Sequence, residues 1–549
     1  MDRLTLIAVL ALPLVLSACA GQQNGTDTPR ISDVSNISDC QVLKITPERQ
    51  TRRAVVNPLI SVVYTTPVAG GCDSLVLKDD AGAVVPTRPV SAAVQAKPGG
   101  GLLGSLTIEP LADLRPSTAY AAFLDGRSVS TFATGVERRG HLLKVDDVTV
   151  NFPSLPSASR IPRDRINALA DAFIAAQLKA HDIPGAVEPV LRILLRAELP
   201  RIAQPDARYD AQVKRVVYRS TDAAGAPVSL SGLLVFPVAS ADGPAIDLAG
   251  LPLVLGMHPT VIGGAAAPSS GADPMLLPGL WSAGKGHVYF APDLIGLGAS
   301  AALPQAFVIG KDTSAHTEDM LTAVREYFLQ VHRAPLGRDL RVIGLSQGAF
   351  SAMAALPALS RLTTVRAVYG AAGPYDIHRT LDGALRAAAG RPRDPYATDA
   401  NLARLPDYLR PTLDALVAYQ GFSYDPKAVL DDQGAPLPSF LADYVNGKYG
   451  LLATHLTVNS LPEASLRYDV PMAKMALYRY SKDTLLASRN TDDMLALLQG
   501  QRPRVASATL GDCREESLVV REILKHARSV STPHLLCFPF AVNDFLGEL

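Results

Sequence analysis

Residues 340–359 read LRVIGLSQGAFSAMAALPAL, with Gly344, Ser346 and Gly348 in a Gly-x-Ser-x-Gly pattern. A serine hydroxyl becomes a nucleophile when a base takes its proton and N–H groups hold the oxyanion that forms on the attacked carbonyl. The pentapeptide alone decides nothing. With 41 glycines in 549 residues, chance supplies such a pattern roughly 0.2 times. Its setting is more specific. LRVIGL has the apolar, β-branched texture of a strand, AFSAMAAL that of a helix, and the glycines allow a tight turn between them. Such a turn lifts Ser346 off the end of a strand and aims the first amides of the helix at it, where developing negative charge is stabilised. Ten histidines could supply the base.

A strand–turn–helix must sit in a larger α/β framework. From about residue 210 the chain alternates apolar runs of strand length (PLVLGMH, GHVYFAPD, LRVIGLS, RAVYGAAG, MAKMALYRY) with helical stretches such as HTEDMLTAVREYFLQV. That alternation predicts a mostly parallel sheet flanked by helices. VKRVVYRSTDAAGAPVSLSGLLVFP reads as a long hairpin around Ala223-Ala224-Gly225. Residues 138–205 form a transitional stretch with helical spacing. Residues 40–137 are different in texture: ISVVYTTPV, SLVLKDDAGAVV, SLTIEP and TAYAAFLDG are short β-rich runs cut by Gly, Pro and Asp.

At 549 residues the chain exceeds one ordinary core. Hydrophobic residues at 48%, charged residues at 19%, and 52 basic against 52 acidic side chains describe a globular protein with no polyanion-binding surface, so no nucleic-acid partner is expected. Leu4–Leu16 is a short apolar run behind Arg3, the pattern of an export signal at residues 1–19. A polar tether is expected over 20–39. With Cys19 set aside, an even count of four cysteines remains in an exported chain, which reads as two disulfides. Three pairings exist. Cys40–Cys72 and Cys513–Cys537 each keep a pair within one proposed domain. No Cys-x-x-Cys or His-Glu-x-x-His occurs, so a zinc site has no support.

Several resemblances sharpen these readings. Leu16-Ser17-Ala18-Cys19 resembles the lipobox of bacterial lipoproteins, which implies lipidation at Cys19 and anchoring to the cell envelope. Ala20 favours the outer membrane over the inner one. LTIEPLADLRPSTAYAAF, ending in Thr118-Ala119-Tyr120, resembles the signature of bacterial Ig-like domains, with Asp80-Ala81-Gly82 as a hairpin tip, and implies a β-sandwich over 40–137. The opening hairpin, APDLIGLGAS (Asp293, Gly296, Gly298, Ser300), GLSQG and YGAAGPYDI together resemble the α/β-hydrolase superfamily, most closely its secretory-lipase (lipase-A-like) branch.

That last resemblance implies a domain over 138–549 and a triad running Ser, acid, His. The acid is expected at Asp483, which closes MAKMALYRYSKD, with Asp492 and Asp493 as alternatives. Only His526 and His534 follow it. His534, after Ser531-Thr532-Pro533, fits better than His526, which sits within a predicted helix. The oxyanion donors would be the Gln347 amide and, in place of the family's His-Gly-x, Thr260 of His258-Pro259-Thr260, with His258 structural. Residues 378–468 are expected to form a helical cap. The implied activity is carboxylic-ester hydrolysis on a small ester or lipid. A peptidase or amidase with the same triad, and a non-catalytic surface-binding lipoprotein, are the alternatives.

Overall fold

In the computed structural model, residues 40–549 are described except 68–71, 97–100, 151–154, 262–266, 273–274, 464–466, 502 and 530. The signal, Cys19 and the tether to residue 39 lie outside the described residues. The first seven strands are β1 (Gln41–Thr46), β2 (Ile60–Thr66), β3 (Leu75–Asp79), β4 (Thr87–Ala96), β5 (Leu102–Pro110), β6 (Ala119–Leu124) and β7 (Arg127–Ala133). They form two antiparallel sheets, β1-β2-β5-β4 and β3-β6-β7. Ile60, Val62, Tyr64, Leu77, Tyr120 and Phe132 fill the core they share. The Cys40–Cys72 disulfide is formed there. All seven residues of β2 are buried. The sequence pattern of a sandwich leads one to expect one wet face, but Val63 of β2 looks across a cleft at Ala354 and Leu461 of the following α/β portion.

Among the described residues the large sheet has ten strands. It contains β8 (Leu142–Asp147), β9 (Arg160–Ile161), β10 (Asp210–Thr221), β11 (Pro227–Val238), β12 (Leu253–Met257), β13 (Val288–Pro292), β14 (Asp339–Leu345), β15 (Thr364–Ala371), β16 (Val470–Tyr478) and β17 (Val505–Leu510). Its order is β17-β16-β15-β14-β12-β13-β11-β10-β8, with β9 paired to β10. Pairing is parallel from β13 through β17 and antiparallel at the other end. Every residue of β12 and β13 is buried, as strands covered on both faces require. Helices Gly310–Tyr327 and Gln347–Leu362 cover one face through Met320, Val324, Phe350 and Met353. Trp281 of Leu276–Gly284 and Phe540 and Phe545 of Phe538–Phe545 cover the other.

LLKVDD (β8) falls in the stretch read as transitional, and VASATL (β17) carries no strand reading in the sequence. Both are edge strands with mostly half-exposed or exposed residues, so neither carries the continuous apolar run of a central strand.

The two portions lock together at defined points. The β10–β11 turn presents Gly225, at φ +81°, against Pro47, where a Cβ would come 2.8 Å from the Pro47 Cα. Beside it the Glu48 amide donates to the Ala224 carbonyl at 2.8 Å. Arg139, at the junction, is buried and paired with buried Asp319 at 3.0 Å, and Asp319 also accepts from Ser220 at 2.6 Å. Burying such a pair is tolerated because both charges meet partners.

Between β15 and β16 lies a helical insertion that includes Ile377–Ala388, Asp399–Ala403, Leu405–Gln420, Pro438–Val445 and Gly450–Asn459. Leu405–Gln420 buries Leu405, Leu409, Thr412, Leu413 and Leu416, the one-sided spacing expected of LPDYLRPTLDALVAYQGF. Among the described residues no helix is long and apolar enough to cross a membrane.

The buried histidines include His181, His287 and His455. Burial pushes His181 and His455 down to about 4 and His287 to about 3. Each stays neutral in the folded chain while its unfolded counterpart takes up a proton below about pH 6.5. Stability from these groups is therefore complete above that pH and is lost as pH falls through 6.5 toward 4. Near pH 5, His455→Gln is expected to flatten the pH dependence of the unfolding free energy by about one proton, about 1.4 kcal/mol per pH unit. Denaturant titrations between pH 7 and 4.5 measure it, and parallel curves for the two proteins would contradict the assignment.

Candidate active site

β14 ends at Leu345, and the helix Gln347–Leu362 begins two residues later. Ser346 makes that turn alone, at φ 53° and ψ −121°, a conformation an L-residue holds only when its surroundings enforce it. The enforcement is visible. The Ser346 amide donates to the Ala371 carbonyl on β15 at 2.8 Å, and its carbonyl accepts from the Ala349 amide at 2.9 Å. The flanking glycines are sterically required. A Cβ on Gly344 would lie 2.4 Å from the Gly348 carbonyl oxygen, and one on Gly348 would lie 2.0 Å from that of Met257.

The Ser346 Oγ stands 2.9 Å from His534 Nε2, and His534 Nδ1 stands 2.9 Å from Asp483 Oδ2. The His534 and Asp483 side chains are 4% and 2% exposed, so solvent does not compete for either contact. The other carboxylate oxygen, Oδ1, accepts the Leu485 and Leu486 amides at 2.8 and 3.1 Å. With Oδ1 held this way, Oδ2 is left facing the imidazole. Asp483 follows β16 in a turn, its amide donating to the Tyr480 carbonyl at 3.2 Å. His534 lies in a short helical turn, Thr532–Leu535, where the sequence predicts only a loop. The Cys513–Cys537 disulfide ties that turn to the end of β17.

The alternatives lie elsewhere. Asp492 pairs with Arg479 at 2.7 Å, and Asp493 with Arg489 at 2.9 Å and Arg379 at 3.2 Å. His526 ends the helix Leu518–His526 rather than lying within it, and contacts Glu522 at 3.2 Å. His258 is buried with Nδ1 2.7 Å from the Pro259 carbonyl and Nε2 3.2 Å from that of Asp293.

Thr260, Ser346 and Gln347 line one pocket, which holds about 620 Å³ of empty space, part of it open to solvent. Gln347 is the first residue of its helix, where amides have no intrahelical acceptor. The opposite wall comes from the helical insertion and the turn after Asp483, including Leu381, Leu405, Leu485 and Leu486. Polar residues in that wall are engaged with backbone: Thr380 Oγ1 donates to the Asp376 carbonyl at 2.6 Å, Thr412 Oγ1 to that of Tyr408 at 2.8 Å, and Asn401 Nδ2 to that of Tyr396 at 2.9 Å. Apart from the Tyr408 hydroxyl, the wall is therefore apolar in effect. Gln347 Oε1 is the contrast, buried without a hydrogen-bond partner among the described residues.

Sequence reasoning missed the support of the loop after β13. Asp293 is fully buried and accepts from Ser231 Oγ, from Ser269 Oγ at 2.6 Å and from the Ser269 amide at 2.8 Å. Nothing in the sequence pairs Ser231 and Ser269 with it, because they lie 62 and 24 residues away. Asp376, His378 and Glu463 bring three potential metal-ligand atoms together. The Arg379 guanidinium lies 3.4 Å from Glu463 and 3.6 Å from Asp376, so a cation already stands there.

Comparison of the whole chain places this framework. The rice cell wall degrading esterase LipA of Xanthomonas oryzae, in a ligand-bound form, aligns with a TM-score of 0.50 at 19% identity, over 71% of this chain and 95% of its own. A protein of Legionella pneumophila aligns with a TM-score of 0.52 at 15% identity, over 74% of this chain and 96% of its own. The chain has their fold. No family model matches the sequence, and no curated protein matches it. In this fold the turn at Ser346 depends on close backbone approach. Gly348→Ala is expected to destabilise by about 3 kcal/mol, since the atom it meets is backbone and cannot rotate away. Thermal melts check this, and a midpoint unchanged within error would contradict it.

Proposed function

We propose that the protein is a serine carboxylic-ester hydrolase. The observation that carries this is the unbroken relay from Ser346 Oγ through His534 to Asp483, with both contacts at 2.9 Å in a buried setting. Ser346 Oγ attacks the ester carbonyl carbon while its proton passes to His534 Nε2. The carbonyl oxygen becomes an oxyanion held by the Gln347 and Thr260 amides. Collapse breaks the bond to the alcohol oxygen, which leaves with the proton from His534. Water, deprotonated by the same imidazole, then attacks the acyl-enzyme and releases the acid. Asp483 keeps the imidazole oriented throughout. The mechanism calls for no metal or cofactor. That one protein of this fold is an esterase accords with the reading, but the relay is its basis.

Leu16-Ser17-Ala18-Cys19 resembles a lipobox, so we propose lipidation at Cys19 and attachment to the outer membrane through the tether at 20–39. Residues 40–137 are read as an Ig-like module that spaces or docks the catalytic portion. Support comes from Tyr120, whose hydroxyl accepts the Arg115 amide at 3.0 Å, the back-bond of a tyrosine corner. Residues 138–549 form the proposed hydrolase domain, with a cap at about 378–468.

Ser346→Ala is expected to lower hydrolysis of p-nitrophenyl butyrate by roughly 10⁴-fold or more and to abolish labelling by a fluorophosphonate probe, in protein lacking residues 1–19. Unchanged hydrolysis would overturn the assignment, and cleavage of aminoacyl anilides in preference to esters would redirect it to amide bonds. The apolar wall generates a second expectation. A hemisuccinate ester should be cleaved about 100-fold less efficiently than a butyrate of matched length, because its carboxylate meets no cationic side chain among the described lining residues. Equal kcat/KM values for the pair would place the acyl group outside this pocket.

A further inference from the structure

The helical insertion does more than wall the pocket. Thr398 stands at the N-cap of the helix Asp399–Ala403 and forms a capping box there. Its Oγ1 accepts the Asn401 amide at 3.1 Å, and Asn401 Oδ1 accepts the Thr398 amide at 3.0 Å. A threonine hydroxyl has a proton left to donate after such a cap is made. Here that proton goes to the carbonyl oxygen of Thr484, 86 residues away. The Ala400 amide donates to the same oxygen at 3.2 Å.

Thr484 immediately follows Asp483. Its carbonyl belongs to the peptide unit whose other end is the Leu485 N–H, and that N–H donates to Asp483 Oδ1 at 2.8 Å. A peptide unit is planar and resists twisting. Fixing its oxygen therefore fixes the direction of its N–H. The chain of contacts runs from Thr398 Oγ1 to the Thr484 carbonyl, across one rigid plane to the Leu485 amide, and on to the carboxylate that faces His534.

We propose that Thr398 is a positioning residue for Asp483, acting through the Thr484–Leu485 peptide plane; this rests on the hydrolase reading above. The insertion then sets the orientation of the carboxylate as well as enclosing the substrate. When the Thr398 hydrogen bond is lost, the plane can tip and the Leu485 amide leaves Oδ1. The carboxylate then rotates away from the position in which Oδ2 meets Nδ1. Orientation of the imidazole matters in the transition state more than in substrate binding, so the loss falls on kcat and leaves KM nearly unchanged.

Capping and positioning separate cleanly by substitution. Thr398→Ser keeps both the accepted and the donated hydrogen bond. Thr398→Asp keeps a good cap, since aspartate accepts from Asn401, but it has no proton to donate and sets a negative charge against the Thr484 carbonyl. The expected result is wild-type kcat for Thr398→Ser and a kcat about tenfold lower for Thr398→Asp, with KM within twofold and thermal midpoints alike. The rate of fluorophosphonate labelling should fall in parallel with kcat. If Thr398→Asp matched wild type in kcat, Thr398 would be only a helix cap and the proposal would be overturned. Activity in Ser346→Ala would instead defeat the hydrolase reading itself, so the two failures are distinguishable. Should Thr398→Asp melt early, the result is read from Thr398→Ser against Thr398→Val at a temperature where both remain folded. Equal kcat in that pair would also overturn the proposal.

Discussion

The arrangement of this protein depends on one backbone constraint, the left-handed turn at Ser346. A serine at φ 53° is held there by hydrogen bonds to β15 and to its own helix, and by glycines on both sides whose added Cβ atoms would strike carbonyl oxygens. Those contacts require β12, β14 and β15 to lie side by side in parallel register, with the helix Gln347–Leu362 packed against them. The burial of whole strands such as LVLGM and VYFAP follows from that register, because helices must cover both faces of the sheet. Strain of order 1–3 kcal/mol at one residue is sustained only by so large a surround.

The same register determines where partners for Ser346 can come from. Asp483 follows β16, two strands beyond β14, and His534 follows β17 at the sheet edge. An edge strand alone is a weak platform for a side chain that must be held within a few tenths of an ångström. β17 has few buried residues, and the disulfide between Cys513 and Cys537 brings the segment after it back toward the strand end. Asp483 lacks such a staple. Its turn is held through hydrogen bonds, and part of those bonds comes from the helical insertion. Asp483 and His534 are thus secured by different means, the first through the insertion and the second by a disulfide.

Much of this was legible in the sequence, and the limits have physical causes. GLSQG and Asp483 could be found because each sits at the end of a strand or in the turn that follows, and strands buried on both faces announce themselves as apolar runs; His534, beyond a further helix after β17, could be named only through the family resemblance, which puts the histidine after the acid. The disulfides could be paired because each keeps both cysteines within one proposed domain. β8 and β17 were missed for the converse reason: edge strands exposed to water carry no continuous apolar signal. Ser231, Ser269 and Thr398 were missed because their partners are distant in the chain. A serine that supports Asp293 has the same local pattern as one that faces water. Thr398 illustrates the point in part, since its capping box with Asn401 is readable locally while its bond to Thr484 is not.

The insertion is best understood as part of the catalytic framework under the proposed reading. Besides the bond from Thr398, Asn490 Oδ1 accepts the Asp376 amide at 3.0 Å, and Tyr396 donates its hydroxyl to Asp493. Residues 484, 490 and 493 all lie between the acid and the end of the next helix, so the insertion grips that segment repeatedly. A hinged movement of the whole insertion would have to break these bonds or carry the acid segment with it. Either course would disturb Asp483. Under the proposed reading the insertion and the Asp483 segment therefore act as one body, and a second cavity that shares Thr260 and Phe307 adjoins the pocket of Ser346.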